Sequence, residues 1–461
     1  MSIRTSLRTV CLLLLVVFSV VSGSALGQSC ADARYSAAAR APIVTTKCDS
    51  ASRRTETQGA SRLPARSLSK APLTPAVELI ASDGVAGNAL GTTVAISGGT
   101  VVVGEDCLEI GSNPNCSVQN QGIAYVYQKP SSGWSNVAQT AELTPSDGQT
   151  GDEFGLAVAV SGDTIVVGSG TGKVYVFVKP VNGWTNMTET AQLTDGMTGD
   201  CFGCAVAIDQ QTIVVGAAVA TINGNGSQGA AYVFVEPATG WATTSNYAAQ
   251  LTASDGTFED LFGISVGISG NTIVAGAPFY QDRTGPGAAY VFVKPASGWS
   301  NMTQTAELTK TEQGLYDEFG LSVAIAGNTI AVGAPQAEGN GNSAGAAYVF
   351  VEPAAGWANA TQTAQLLASS ATQNFGFSMA TSGNKVVVGT FSGTSNSVFV
   401  YAKPKGGWTS TSDDSLTIGR GDGFVLFGLS VAIAGDVVAA GAPYLTVKGQ
   451  PDQGAAFVVG N

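Results

Sequence analysis

The chain has 461 residues, 44% of them hydrophobic and only 12% charged, with 59 glycines, no histidine and a formal net charge of −12. The missing histidine excludes Ser-His-Asp and Cys-His catalysis and every histidine-ligated metal site. Low charge with many glycines and β-branched residues points to short strands and tight turns, an all-β chain.

At the N-terminus, Arg4 and Arg8 precede an apolar run from Val10 to Val21. That run is shorter than the roughly 20 residues a spanning helix needs. Ala25-Leu26-Gly27 fits a small-residue cleavage site, so residues 1–27 read as a secretory signal peptide. An uncleaved anchor is the alternative. No later segment looks transmembrane, and the residues before Cys30 do not resemble a lipobox. The expected location is secreted or cell-surface, outside the cytoplasm.

Residues 28–72 are rich in Ala, Ser, Arg and Pro without apolar period, the composition of a flexible basic linker. A plain tether suits it better than binding to an anionic envelope. Charge is split along the chain. Residues 1–70 hold 10 Lys/Arg and 3 Asp/Glu, whereas residues 71–461 hold 11 and 30. So acidic a surface repels nucleic acid and anionic headgroups, and tolerates cations and neutral ligands such as glycans.

From residue 73 to 461 one phrase recurs: Phe-Gly, a hydrophobic stretch, Ser-Gly, a second stretch, then Gly-Ala-Pro. Its copies begin at Leu90, Phe154, Phe202, Phe262, Phe319, Phe375 and Phe427, the first with Leu-Gly for Phe-Gly. A second phrase follows, as in GAAYVFVKPASGW from Gly287, and a third closes each unit, as in TAELTPSDG from Thr140. Each unit thus has four short β-branched stretches bounded by Gly, Asn, Asp or Pro. Seven such units predict a seven-bladed β-propeller of four-stranded blades. The seventh unit stops at Asn461 after its third stretch, and its missing fourth lies at Ala76 to Gly84, AVELIASDG. An N-terminal strand completing the last blade would close the ring and hide its edges.

These residues resemble the FG-GAP repeat, the unit of the integrin α-subunit propeller, in the form found in secreted bacterial repeat proteins. The resemblance covers residues 76–461. It implies a propeller, but the family hosts adhesion, ligand binding and parts of hydrolases. Many integrin-type repeats carry a calcium loop between Phe-Gly and Gly-Ala-Pro. Here that connection is only Ser-Gly-Asn-Thr, as at Ser269 to Thr272, too short to wrap a cation. The family's calcium sites are therefore not carried over. No cofactor is expected, and calcium stays open only at other carboxylates.

Those carboxylates lie in S-D-G-x-x-G-D-x-F-G, between one unit's fourth stretch and the next unit's first. Asp147 with Asp152 and Asp255 with Asp260 are the metal candidates, and Asp195 with Asp200 is a close variant. Asp317 and Asp422 sit in less complete copies. A ring of carboxylates could hold cations or a basic partner. Repetition favours plain turn chemistry instead, with the second Asp capping the entering strand.

Six tryptophans, Trp134, Trp184, Trp241, Trp299, Trp357 and Trp408, each follow Gly in one hairpin. They suit packing between blades better than a sugar-stacking platform. The connections after Gly-Ala-Pro vary most, and variable loops on a rigid scaffold are where binding usually resides. Tyr280, Asp282 and Arg283 lie in one such connection, Tyr444 and Lys448 in another, and these are the candidate ligand-binding residues. Cys30, Cys48, Cys107, Cys116, Cys201 and Cys204 remain after the signal peptide and favour disulfides. Cys201 and Cys204, spaced C-x-x-C, read equally as a local bridge or two free thiols; a thioredoxin-like role needs a helix that the segment lacks. Three of the sequons, at Asn186, Asn301 and Asn359, share one repeat position, so they read as repeat residues; Asn115 and Asn225 complete the set.

The expected function is a non-catalytic extracellular binding or adhesion scaffold, a monomer that engages a protein or glycan. A lectin-like carbohydrate binder is the alternative. A secreted hydrolase ranks third, because no isolated carboxylate pair stands out.

Overall fold

The computed structural model describes residues 76–105, 121–197, 199–279, 285–312, 314–339, 344–370, 372–391, 397–419 and 425–460. Among them the strands form seven sheets. Blade 4 shows the common plan, with antiparallel strands Ser265–Ser269, Thr272–Ala277, Ala288–Val293 and Ala306–Thr309 from the inside outward. The inner strands contact one another in ring order, and the last of them, Val431–Ala434, meets the first, Leu90–Ser97.

The ring closes as expected. Val77–Ile80 pairs antiparallel with Ala455–Val459, as the outer strand of blade 7. Its register sets Leu79 opposite Ala456. The same pairing recurs inside other blades, with Leu308 opposite Ala289. The N-terminal strand therefore occupies a standard fourth-strand position.

The motif glycines are explained by what lies across each junction. A Cβ on Gly276, of blade 4's Gly-Ala-Pro, would overlap the carbonyl oxygen of Gly320, from the Phe-Gly of blade 5. Gly441 meets the Gly91 carbonyl in the same way where the ring closes. That carbonyl is also held by a side chain. Ser265 Oγ donates to Gly320 O at 2.8 Å, and Ser430 Oγ donates to Gly91 O at 3.0 Å. The Ser after Phe-Gly-x is thus a stitch between blades. On the opposite side of the ring, the Ser-Gly turns do the same. Gly327 N–H donates to Ser269 Oγ at 3.0 Å, one blade back.

Aromatic residues fill the space between blades. Phe319 packs edge-on against Tyr348 and Phe350 of its own blade, at centroid distances of 5.5 and 6.0 Å. The same cluster includes Val274 and Val291 of blade 4 and Trp357. Five of the six hairpin tryptophans are buried, with exposures of 6–8%, and Trp299 is partly buried. Their rings lie between blades, so a sugar-stacking platform has no open ring faces there.

The segment after each tryptophan lies on the outer strand of the preceding blade. Met302–Thr303 adds a short parallel strand to Ala249–Thr252, and Val137–Ala138 adds one to Val77–Ile80. The sequon asparagines cap these edges. Asn301 Oδ1 accepts the N–H of Gln250 at 2.8 Å, and Asn359 Oδ1 accepts that of Glu307 at 2.9 Å. Their recurrence therefore has a structural cause, since covered edges do not pair with other chains.

Candidate functional site: the junction-turn face

The turns joining one blade to the next share a face with the connections after Gly-Ala-Pro. Phe262 N–H donates to Gln228 O of the preceding blade at 2.9 Å, and Leu90 N–H donates to Gln453 O at 3.0 Å. Hairpins carrying tryptophan lie on the other face.

Each junction turn ends in a residue forced into the left-handed region. Ala89, Glu153, Cys201, Leu261, Glu318, Asn374 and Leu426 all have φ between 50° and 64°. None is glycine, and each directly precedes the Phe or Leu that opens a blade. Such a residue costs about 1–2 kcal/mol. The sequence reading missed this position because no glycine marks it.

The repeated carboxylates serve these turns and junctions. Asp152 Oδ2 accepts the N–H of Gln149 at 2.7 Å. Asp260 accepts from Thr257 N–H at 2.6 Å and from Thr257 Oγ1 at 2.9 Å. Asp152 and Asp260 thus cap their own turns, three residues back, whereas Asp200 Oδ1 accepts the N–H of Phe202 at 3.2 Å and caps the strand that follows, as expected. The first Asp reaches the next blade. Asp147 accepts from Tyr175 OH at 3.0 Å and pairs with Lys173. Against the cost of burial, those donors hold its carboxyl below the usual carboxylate range. Asp255 is placed likewise and raises the pKa of Glu307, after burial itself.

Three junctions depart from this plan. At blade 5, Lys310 makes a buried ion pair with Asp317 and also donates to the Glu312 carbonyl. At blade 3, Asp200 is 7% exposed and hydrogen-bonded to Asp195; burial and then that neighbour push it up to about 7. At blade 1, Glu105 stands where Gly-Ala-Pro has alanine, and is 3% exposed. Burial pushes it up to about 8, despite donors from Asn88 and Tyr125. Glu318, also buried, rises to about 8 for the same reason. Sequence reasoning passed over both glutamates. For Glu105 the signal was a charged residue where sibling units carry Ala, Ser or Thr; for Glu318 there was none, since Glu153 stands at the same position.

Tyr444 is buried against Phe391, Leu426 and Leu429, so it packs rather than projects. Lys448 is exposed and lines a cleft of about 240 Å³ with Glu78 and Ser82. Tyr280, Asp282 and Arg283 lie outside the described residues, as do Cys30, Cys48, Cys107, Cys116, Asn115 and Asp422 and residues 1–75.

Cys201 and Cys204 form a disulfide across the start of blade 3. The loop it closes spans a sequence separation of 3. Replacing both with serine is expected to cost about 2 kcal/mol, the chain-entropy value for so short a loop. Urea melts of the oxidised protein and the double variant measure this.

Among the described residues, five of the eight exposed large hydrophobic residues sit on this face: Val85, Met197, Phe258, Leu315 and Tyr316, each 53–67% exposed. They occupy matching tips in four junction turns, between the first and second acidic positions. The same turns carry Glu259 and Glu312. Among the described residues, no group of three or more Asp, Glu, His or Cys could hold a metal ion. Nor is any helix long and apolar enough to cross a membrane.

No curated protein matches the chain. Among solved structures, it is similar to the computationally designed Ika8 protein, at 14% identity and a TM-score of 0.46, over 83% of this chain and 99% of that one. The FG-GAP repeat family model matches residues 74–127, 137–177, 187–234, 246–292 and 302–350. Those stretches begin in the closing strand and run through five consecutive blades, and the chain belongs to the FG-GAP repeat family.

Proposed function

We propose that the protein is a non-catalytic extracellular binding scaffold whose contact surface is the junction-turn face. The observation that carries this reading is the set of exposed apolar tips at Val85, Met197, Phe258, Leu315 and Tyr316. Exposed apolar side chains concentrated on one face mark an interaction surface. These residues also differ from blade to blade, unlike the residues that build the blades. The same turns carry carboxylates, so the partner of best fit is an extracellular protein with an apolar patch rimmed by Lys and Arg. A nucleic-acid partner would meet charge of its own sign. Secretion by the N-terminal signal supplies the compartment. A glycan ligand would have to use this face as well, because the hairpin tryptophans are packed away.

The test compares two variants of the full chain in cross-linking pull-downs from surface proteins of the producing cells. The triple change Phe258→Ser, Leu315→Ser and Tyr316→Ser alters the junction face, and Val181→Ser alters an exposed residue on the hairpin face. Expected is a partner captured by the wild type and by Val181→Ser, and lost tenfold or more with the triple variant at unchanged melting temperature. Capture that survives the triple change refutes the face. Turnover of a polymeric substrate, lost on changing one carboxylate, refutes the non-catalytic reading.

A further inference from the structure

Six of the seven outer strands carry a short strap from the blade that follows. Val77–Ile80, Ala249–Thr252 and Ala306–Thr309 pair in parallel with Val137–Ala138, Met302–Thr303 and Ala360–Thr361. Leu143, Leu193 and Leu366 form single parallel bridges with Met187, Thr244 and Thr411. Blade 6 is the exception. Among the described residues, nothing pairs with the outer side of its fourth strand, Leu416–Gly419. The bridged leucines of the other six blades are 0% exposed, whereas Ile418, at the same position, is 6% exposed. Leu416 is half-buried where blades 1 to 5 carry a buried alanine. An open strand edge with apolar surface beside it is a template for another strand.

The order of the chain explains the gap. A strap leads directly into the fourth strand of its own blade: Met302 stands four residues before Ala306, and Val137 four before Ala141. Blade 7 takes its fourth strand from the N-terminal Val77–Ile80, so the segment before Val77 stands where its strap would be. Four residues before Val77 is Leu73.

We propose that residues 72–74 dock on the outer edge of blade 6 as the seventh strap, with Leu73 beside Ile418. Thr411 shows the bonds such a strap makes: its N–H donates to Gln365 O and its carbonyl accepts the N–H of Leu367, both at 3.0 Å. In that register Leu73 N–H donates to Thr417 O, and Leu73 O accepts the N–H of Gly419. Leu73 keeps the N–H that Pro72 and Pro75 lack. A five-residue offset, as from Thr244 to Ala249, would place Pro72 at the donor position and forfeit that bond. Leu73 is apolar like Val137 and Met302, which pack on the clusters beside their straps. Pro72 replaces the Asn, Thr or Ser that caps the other straps, so this one is held by backbone bonds and the leucine alone. The flanking prolines also stop the strap from pairing further outward. Only Pro75 and Ala76 separate it from the closing strand. So short a tether gives an effective concentration of about mM or more, ahead of a strand from another molecule. Docked in this way, the N-terminal linker is tied across blade 6 as well as blade 7. The proposal does not depend on the binding-face reading.

Hydrogen exchange of the full chain at the Gly419 amide tests this, in the wild type, Leu73→Pro and Ser69→Pro. Exchange is expected to be about tenfold faster in Leu73→Pro than in the wild type, and unchanged in Ser69→Pro. Equal exchange in the wild type and Leu73→Pro would overturn the proposal. Should Leu73→Pro fail to fold, cysteine trapping supplies a second measurement. Thr74 and Gly419 correspond to the paired Thr303 and Thr252. Thr74→Cys with Gly419→Cys is expected to form a bridge within one monomer, mapped by peptide analysis. It should form about tenfold faster than the bridge of Thr74→Cys with Leu367→Cys, on the covered edge of blade 5. Equal rates would overturn the proposal. A bridge between two chains, or Gly419 protection that falls on dilution, would assign the edge to a second copy and overturn it as well.

Discussion

Gly276→Ala is expected to destabilise the propeller by about 3–5 kcal/mol, among the largest effects of any single methyl group in the chain. The added Cβ would overlap the Gly320 carbonyl, which Ser265 Oγ already holds. Neither group can give way cheaply, because Gly276 is held in the second strand of blade 4 and Gly320 leads directly into the inner strand of blade 5. Overpacking alone costs about 1–3 kcal/mol, and here it also breaks a hydrogen bond between blades. Gly270→Ala is the control. Its φ is +57°, but nothing lies within 4 Å of the added Cβ. Only the left-handed backbone cost of about 1–2 kcal/mol applies. Urea denaturation with an unchanged m-value separates the two. Equal losses would show that backbone conformation, rather than the approach of the blades, requires the Gly-Ala-Pro glycine.

The second large effect depends on pH. Burial raises Glu105 and Glu318 from 4.5 to about 8. Below about pH 4.5 both the folded and the unfolded chain carry these protons, and the groups are neutral in effect. Between about 4.5 and 8 the unfolded chain has released them and the folded protein has not. Stability therefore falls as pH rises, by about 1.4 kcal/mol per unit for each group. Above about 8 both states are ionised and the slope flattens. Glu105→Gln keeps the shape and removes the proton. Its advantage over the wild type is expected to be small at about pH 5 and to grow to several kcal/mol at about pH 9, in parallel urea melts. A gap that stays constant with pH would mean that Glu105 is ionised in the fold. The glutamine also keeps an acceptor for the donors from Asn88 and Tyr125.

Much of the architecture was legible because it repeats. The blade count came from the Phe-Gly copies, and the closing strand came from AVELIASDG standing alone before the first unit. Repetition also identified the sequon asparagines as builders, and the caps on Gln250 and Glu307 supply the reason. Other features stayed hidden because they depend on two blades at once. That Gly276 meets Gly320 is a fact of the ring, 44 residues apart in sequence. The left-handed residue before each blade was invisible because Ala, Glu, Cys, Leu and Asn all occupy it. The site features read least well. Asp147, Asp195 and Asp255 look alike in sequence, yet a lysine two strands away decides which carboxylate is satisfied. Tyr444 looked like a binding residue in a variable loop, but its ring is needed to fill the space beside Leu426.

The closing strand also fixes how the propeller is mounted. Val77 is paired with Val458, so the strand that begins the ring and the strand that ends it meet at the same rim. That rim belongs to the tryptophan hairpins. A segment preceding Ala76, or one continuing past Gly460, departs from that side. Anything fused or anchored there holds the propeller by its back, with Phe258, Leu315 and Tyr316 directed away from the attachment. Fusions joined at either end should therefore leave the junction turns free, whereas insertions into those turns should obstruct them.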